Sequence, residues 1–160
     1  MNIQSGWFEY NKQKVIQALR YHFISRREIK ILMILVNVFA LLSAGLFFFK
    51  KVLPLAFLLS SVMWFVLMIA FWYALPRMVY RRAKTFQDTF RVGVSSYGMR
   101  LENRQGSKEW EWSSFQSWME SPHFYHLYFD ARSFFILPKD AFEGDDVHEV
   151  RKIFREHIRK

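Results

Sequence analysis

Five histidines are the groups in this chain best suited to moving protons or holding a metal, so their spacing is the first test of chemistry. His123 and His126 lie three apart in a strand-like run, which sends their rings to opposite faces of a pleat. His148 and His157 lie nine apart in a helical stretch, about two and a half turns, and so on nearly opposite sides. Neither pair makes the convergent set that a zinc ion needs. Asp88, Asp130 and Asp140 are scattered near strand ends, as turn or edge residues are. The chain has no cysteine, which removes disulfides, thiolate ligands and a thiol nucleophile. Six glycines give little material for a phosphate loop, and no G-x-S-x-G or H-E-x-x-H occurs. The expectation is a protein without catalytic residues, metal or cofactor, and not an enzyme.

The elements that carry these residues fall into three segments, 1–30, 31–76 and 77–160. Ile31 to Phe49 reads ILMILVNVFALLSAGLFFF, with no ionisable group and only Asn37 and Ser43 polar. At a helical rise of about 1.5 Å per residue it matches the hydrocarbon thickness of a bilayer. Val52 to Leu75 is again uncharged and long enough to cross with some tilt, with Pro54 in its first turn and Pro76 after its end. Lys50 and Lys51 between them mark the tip of a transmembrane hairpin. Neither run shows the polar face expected of a core helix in a soluble bundle. About thirty mostly polar residues precede the first run and no small-residue cleavage site follows it, so 1–30 is expected in the mature protein. Ser43, Ala44, Gly45 and the Ser60-Ser61 pair read as close-packing positions, and through them the chain has a route to homo-oligomers. With no charged side chain in either span, transport by this chain alone is not expected.

Six basic residues precede the first span (Lys12, Lys14, Arg20, Arg26, Arg27, Lys30), and Arg77, Arg81, Arg82 and Lys84 follow the second. The tip has two. The positive-inside rule then puts both termini in the cytoplasm. The net charge of +9 is not spread over a groove for nucleic acid, because from Thr85 onward eleven Lys and Arg face twelve Asp and Glu. Arg77, Arg81, Arg82 and Lys84 are therefore the candidate contacts for anionic lipid headgroups, or serve to fix topology alone.

From Thr85 the pattern becomes strand-like, with six short aromatic or branched runs that argue for an antiparallel meander or barrel. Trp110 and Trp112 alternate with Glu109 and Glu111, one side dry and one wet. In FYHLYFDARSFFILP both faces are apolar, so one needs a cover. EGDDVHEVRKIFREHIRK reads as a terminal helix over 145–159, with Asp146 and Glu149 spaced for a capping box and Val147, Val150, Ile153, Phe154 and Ile158 on one face. At the other end, Ile3 to Tyr10 supplies a seventh strand. Asn11 caps a helix that can run on into the first span. Trp7 and Tyr10, three apart, cannot both face inward on one strand.

Two adjacent spans, then Trp112 to Phe115 (WSSF), Phe124 to Phe129 (FYHLYF), Phe134 to Phe142 (FFILPKDAF) and an acidic-start helix, resemble the YcxB-like bacterial membrane proteins. The resemblance implies an α+β membrane protein of the bacterial cytoplasmic (inner) membrane. Its cytoplasmic part would be a small antiparallel pleckstrin-homology-like barrel or sheet capped by a C-terminal helix. It brings no catalytic residue.

Two functions fit these expectations. One is a non-catalytic interaction module at the inner face of the membrane, binding a protein partner or lipid headgroups. The other is a membrane-bound immunity or stress-protection factor against a toxin or other membrane-active agent. Trp118, Tyr125 and Tyr128 are the candidate partner contacts, since Tyr125 or Tyr128 must point away from the core; Trp118 has the equal alternative of packing under the terminal helix.

Overall fold

The structure is a computed structural model that describes residues 2–131 and 133–158. It divides into two compact units, one made of Met1–Ala18 with Ala83–Lys160 and the other of Leu19–Arg82. The first is therefore discontinuous in sequence, with the second inserted into it.

Alternation builds the centre of the first unit. In β3 (Thr89–Ser95) the side chains of Phe90, Val92 and Val94 are buried, while Arg91 and Gly93 face outward, so one side of the strand meets the core. β3 pairs antiparallel with β4 (Gly98–Asn103), and β4 with β5 (Gly106–Glu111). The other edge of β3 takes the N-terminal segment, in two pieces. β1 (Asn2–Gln4) sets Ile3 opposite Val94, and β2 (Phe8–Glu9) sets Phe8 opposite Phe90.

The single strand expected over Ile3 to Tyr10 is thus broken by a bulge. Ser5 causes it: its N–H donates to the Val92 carbonyl at 2.8 Å, and its hydroxyl accepts from the Val92 N–H at 2.9 Å. Three residues then oppose two, and the inward set shifts from odd to even positions. Ile3, Phe8 and Tyr10 are all buried, and Trp7 points out.

A second sheet has the order β6-β7-β8, formed by Ser117–Glu120, Phe124–Tyr128 and Phe134–Pro138. The six runs from Thr85 onward are present, but the barrel alternative is corrected. The strands form two separate sheets, and a 3-10 turn, Trp112–Ser114, takes the chain from β5 to β6 with no ladder between them. That turn also carries Trp112 out of the strand, leaving it buried while Trp110 is half-buried.

Helix α5 (Asp146–His157) covers the Tyr125 side of the second sheet through Val150, Ile153 and Phe154. The capping box expected of Asp146 and Glu149 does not form, since Asp146 is already the first helical residue and the N-cap, Asp145, makes no side-chain cap hydrogen bond. Of its expected span, residue 159 lies outside the described residues.

Helix α1 (Lys12–Ser25) begins where expected, with the Asn11 Oδ1 accepting from the N–H groups of Gln13 and Lys14. It does not run on into α2 (Arg27–Phe48), because Arg26 adopts an extended conformation between them. α2 and the helical stretch Pro54–Arg82 are long and apolar enough to cross a membrane. They meet along a seam: Phe47 stacks on Phe57 at 4.4 Å, and the Ser43 and Ser60 hydroxyls are 2.8 Å apart. The α2 end is a Schellman turn, in which Lys51 N–H reaches Leu46 O, Lys50 N–H reaches Phe47 O, and Lys50 takes a left-handed φ of 56°.

The stretch Pro54–Arg82 is regular as α3 (Pro54–Ile69), widens to a π-helical turn at Ala70–Ala74, and resumes as α4 (Leu75–Arg82). Pro76 explains the widening. It has no N–H to offer the carbonyl of Trp72 four residues back, and its ring crowds that turn.

Candidate functional site

The basic segment is presented openly. Arg77, Arg81 and Arg82 are exposed on α4, and Lys84 is exposed in the following 3-10 turn. Sequence reasoning treated Arg20 of α1 as topological charge alone, yet the fold brings it to the same helix. The Arg20 Nε donates to the Trp72 carbonyl at 2.9 Å, an acceptor to which Pro76, four residues on, has no N–H to offer. Its guanidinium lies 5.3 Å from the Trp72 ring centre and 5.4 Å from that of Tyr73, and the Arg77 guanidinium lies 5.1 Å from Tyr73. The signal in the sequence was an aromatic pair just before a proline that has no N–H to offer a carbonyl.

The aromatic candidates lie elsewhere and mostly inside. Trp118 is 4% exposed and Tyr125 is 0% exposed, so both are corrected from surface contacts to core. The reason is Phe154, whose ring sits 5.8 Å from Trp118, 5.3 Å from Tyr125 and 5.6 Å from Trp112. The Tyr125 hydroxyl donates to the Val147 carbonyl of α5 at 2.9 Å. Tyr128, on the other face of β7, is half-buried beside Phe134.

Below Trp118, the Glu120 Oε1 accepts from Lys139 Nζ at 2.7 Å and from Arg151 at 2.6 Å. Burial pushes the Glu120 carboxyl up, but these two cations together hold it below the usual value. The same hydrogen bond raises Arg151. This cluster fastens β6 to α5, with the Arg151 Nε buried and unpartnered among the described residues.

A concavity of about 650 Å³ lies over the outer face of the first sheet and includes Gln4, Gly93, Tyr97, Arg100, Glu109 and Trp110. Arg100 pairs with Glu102 at 2.9 Å and with Glu109 at 3.4 Å, so its charge is met by its neighbours. His123 is exposed and His126 is buried, its Nε2 3.0 Å from the Ser121 hydroxyl. Among the described residues no group of three or more His, Cys, Asp or Glu is placed to hold a metal ion.

With this geometry in view, comparison with known families is informative over one segment. The family model of YcxB-like proteins matches residues 94–154, from the end of β3 to Phe154 in α5. That stretch is YcxB-like, as its WSSF, FYHLYF and FFILPKDAF motifs suggested. Among curated proteins and solved structures, nothing matches this chain.

Proposed function

We propose that the protein is a membrane-anchored, non-catalytic interaction module. In this reading α2 and the Pro54–Arg82 helix cross the bacterial cytoplasmic membrane. The YcxB-like unit, pleckstrin-homology-like in pairing antiparallel sheets with a C-terminal helix, works on the cytoplasmic side. The observation that carries the reading is the exposure of the apolar helices: no residue of α2 or α3 is buried, and Phe48 is 80% and Leu55 65% exposed. A continuous apolar surface of this size is unsuited to water. Charge supports it too. The Leu19–Arg82 unit has nine Lys and Arg against one acid, whereas the rest of the chain has fourteen against thirteen.

The partner surface is the outer face of the first sheet. With Trp118 and Tyr125 in the core, Tyr97, at 86% exposure, is the aromatic that flanks a polar concavity there. A protein contact fits aromatic anchors in a polar rim.

The test is alkaline carbonate extraction of membranes, joined to labelling of Lys51→Cys and Ser107→Cys by an impermeant thiol reagent on whole cells. The cysteine-free background makes each label specific. The protein should stay in the membrane, with position 51 labelled and position 107 protected. Release by carbonate would end the anchoring, and the opposite labelling would reverse the orientation.

A further inference from the structure

Arg20 and Arg77 are organised in a way that Arg81, Arg82 and Lys84 are not. Both guanidinium carbons lie within 5.4 Å of the Tyr73 ring centre, and Arg20 is fixed further by Trp72 and by its Nε bond to the Trp72 carbonyl. Stacking occupies a guanidinium face and leaves its edge open. For Arg20 the Nε edge is spent, and the two Nη groups keep their donors. Neither arginine has an ion pair among the described residues. The one acid in the unit, Glu28, lies 3.9 Å from Arg26 instead.

Two preoriented forks beside two half-exposed rings need an anion with several oxygens at its surface. A phosphate offers that geometry, and guanidinium groups bind it through paired, charge-assisted hydrogen bonds. The position selects which phosphate. The uncharged run of the second span ends at Leu75, and Trp72, Tyr73 and Arg77 straddle that end. Tryptophan and tyrosine in such a place belong at the headgroup level of a bilayer.

We infer that Arg20, Trp72, Tyr73 and Arg77 form a specific site for the phosphate of an anionic phospholipid headgroup, distinct from the diffuse attraction of the other basic residues. This rests on the membrane reading above. The π-helical turn at Ala70–Ala74 serves the site, because the proline that widens the helix also withholds its N–H from the carbonyl that orients Arg20.

The experiment uses the full chain in nanodiscs of mixed phosphatidylcholine and phosphatidylglycerol, with retained lipid counted by native mass spectrometry after gentle extraction. Wild type should enrich phosphatidylglycerol. Arg20→Gln with Arg77→Gln should lose about tenfold of that preference, as expected for losing charge-assisted bonds. Arg81→Gln with Arg82→Gln removes the same charge and should retain most of it. Equal losses in the two pairs would overturn the site in favour of a diffuse field. Arg77→Gln alone guards against misfolding, since Arg77 makes no hydrogen bond in the helix ladder with its side chain. It should lose several-fold in preference, and an unchanged preference would also overturn the site. Displacement of the lipid by millimolar inorganic phosphate would overturn the lipid assignment and mark a site for a soluble phosphate. Carbonate extraction keeps the two ideas apart: release of the wild type sinks the membrane reading itself, whereas integral variants with unaltered lipid preference sink this site alone.

Discussion

The Tyr10 hydroxyl donates to the Ile136 carbonyl at 2.8 Å, joining residues 126 positions apart. Ile136 belongs to β8, an edge strand of the second sheet, and Tyr10 follows β2 of the first. One buried side chain therefore ties the N-terminal segment to the far end of the chain. Burial raises its phenol well above the usual tyrosine range, so it stays a donor at any ordinary pH.

Tyr10→Phe keeps the ring against Phe8, Phe90 and Phe124 and leaves the Ile136 carbonyl without this donor. The expected loss is about 1–2 kcal/mol, read as a lowered unfolding midpoint of the detergent-solubilised protein. An unchanged midpoint would mean that the bond contributes nothing net.

Trp118→Ala should cost about 3–5 kcal/mol, because it empties the space against Phe154 and Tyr125. Trp118→Phe should cost far less. The indole N–H is buried and meets no acceptor among the described residues, so the smaller ring removes an unmet polar group along with some packing. If the alanine variant melted like wild type, Trp118 would not be the core residue its burial makes it.

Gly98→Ala tests strand pairing. A Cβ there would lie 2.2 Å from the Trp110 carbonyl oxygen, too close without a shift of β4 against β5. A loss of about 1–3 kcal/mol is expected. Gly93→Ala is the control, since its nearest contact would be the Arg100 Cβ at 3.8 Å. Equal tolerance at both positions would contradict the close approach.

His22 gives a pH dependence. Burial, with the charge of Arg26 second, lowers its pKa from the ordinary 6.5 to about 4. The native state therefore holds the ring neutral, while the unfolded chain takes up a proton near its ordinary value. Stability from the neutral ring is whole above about pH 6.5 and declines as pH falls toward about 4, by up to about 1.4 kcal/mol per unit. Glu120, held below the usual carboxylate value, acts in a lower window, its contribution fading as pH falls beneath the ordinary carboxyl range. Denaturant titrations of wild type and His22→Gln should diverge in slope between these limits. Parallel curves would show that His22 does not carry the effect.

The two long apolar helices were legible because nineteen and twenty-four residues pass without a charged side chain, a pattern that no packing detail can disguise. The Asn11 cap and the stripe of Val150, Ile153 and Phe154 were legible for a similar reason, since both depend on neighbours within one helix. What escaped depends on partners distant in sequence. The Ser5 bulge exists because a hydroxyl reaches Val92, and nothing near Ser5 announces it. Whether strands close a barrel is decided at edges such as β5 and β6, which alternation does not describe. Trp118 had two equal places until Phe154 filled one of them. The Arg20 site needed helix α1 to come beside Trp72, fifty-two positions later.

The inserted position of the Leu19–Arg82 unit also sets an order on synthesis. Asn2, Ile3 and Gln4 leave the ribosome well before their partners Ser95, Val94 and Gly93, which come only after the whole inserted unit has been made. Until then the first strand has no ladder to join, and the ring of Tyr10 has no Ile136 to meet. Loop closure over such a separation is slow relative to hairpin formation between neighbours. The strands from β3 onward, all adjacent in sequence, can pair first, and the N-terminal segment docks last, as the latch on a sheet that already exists.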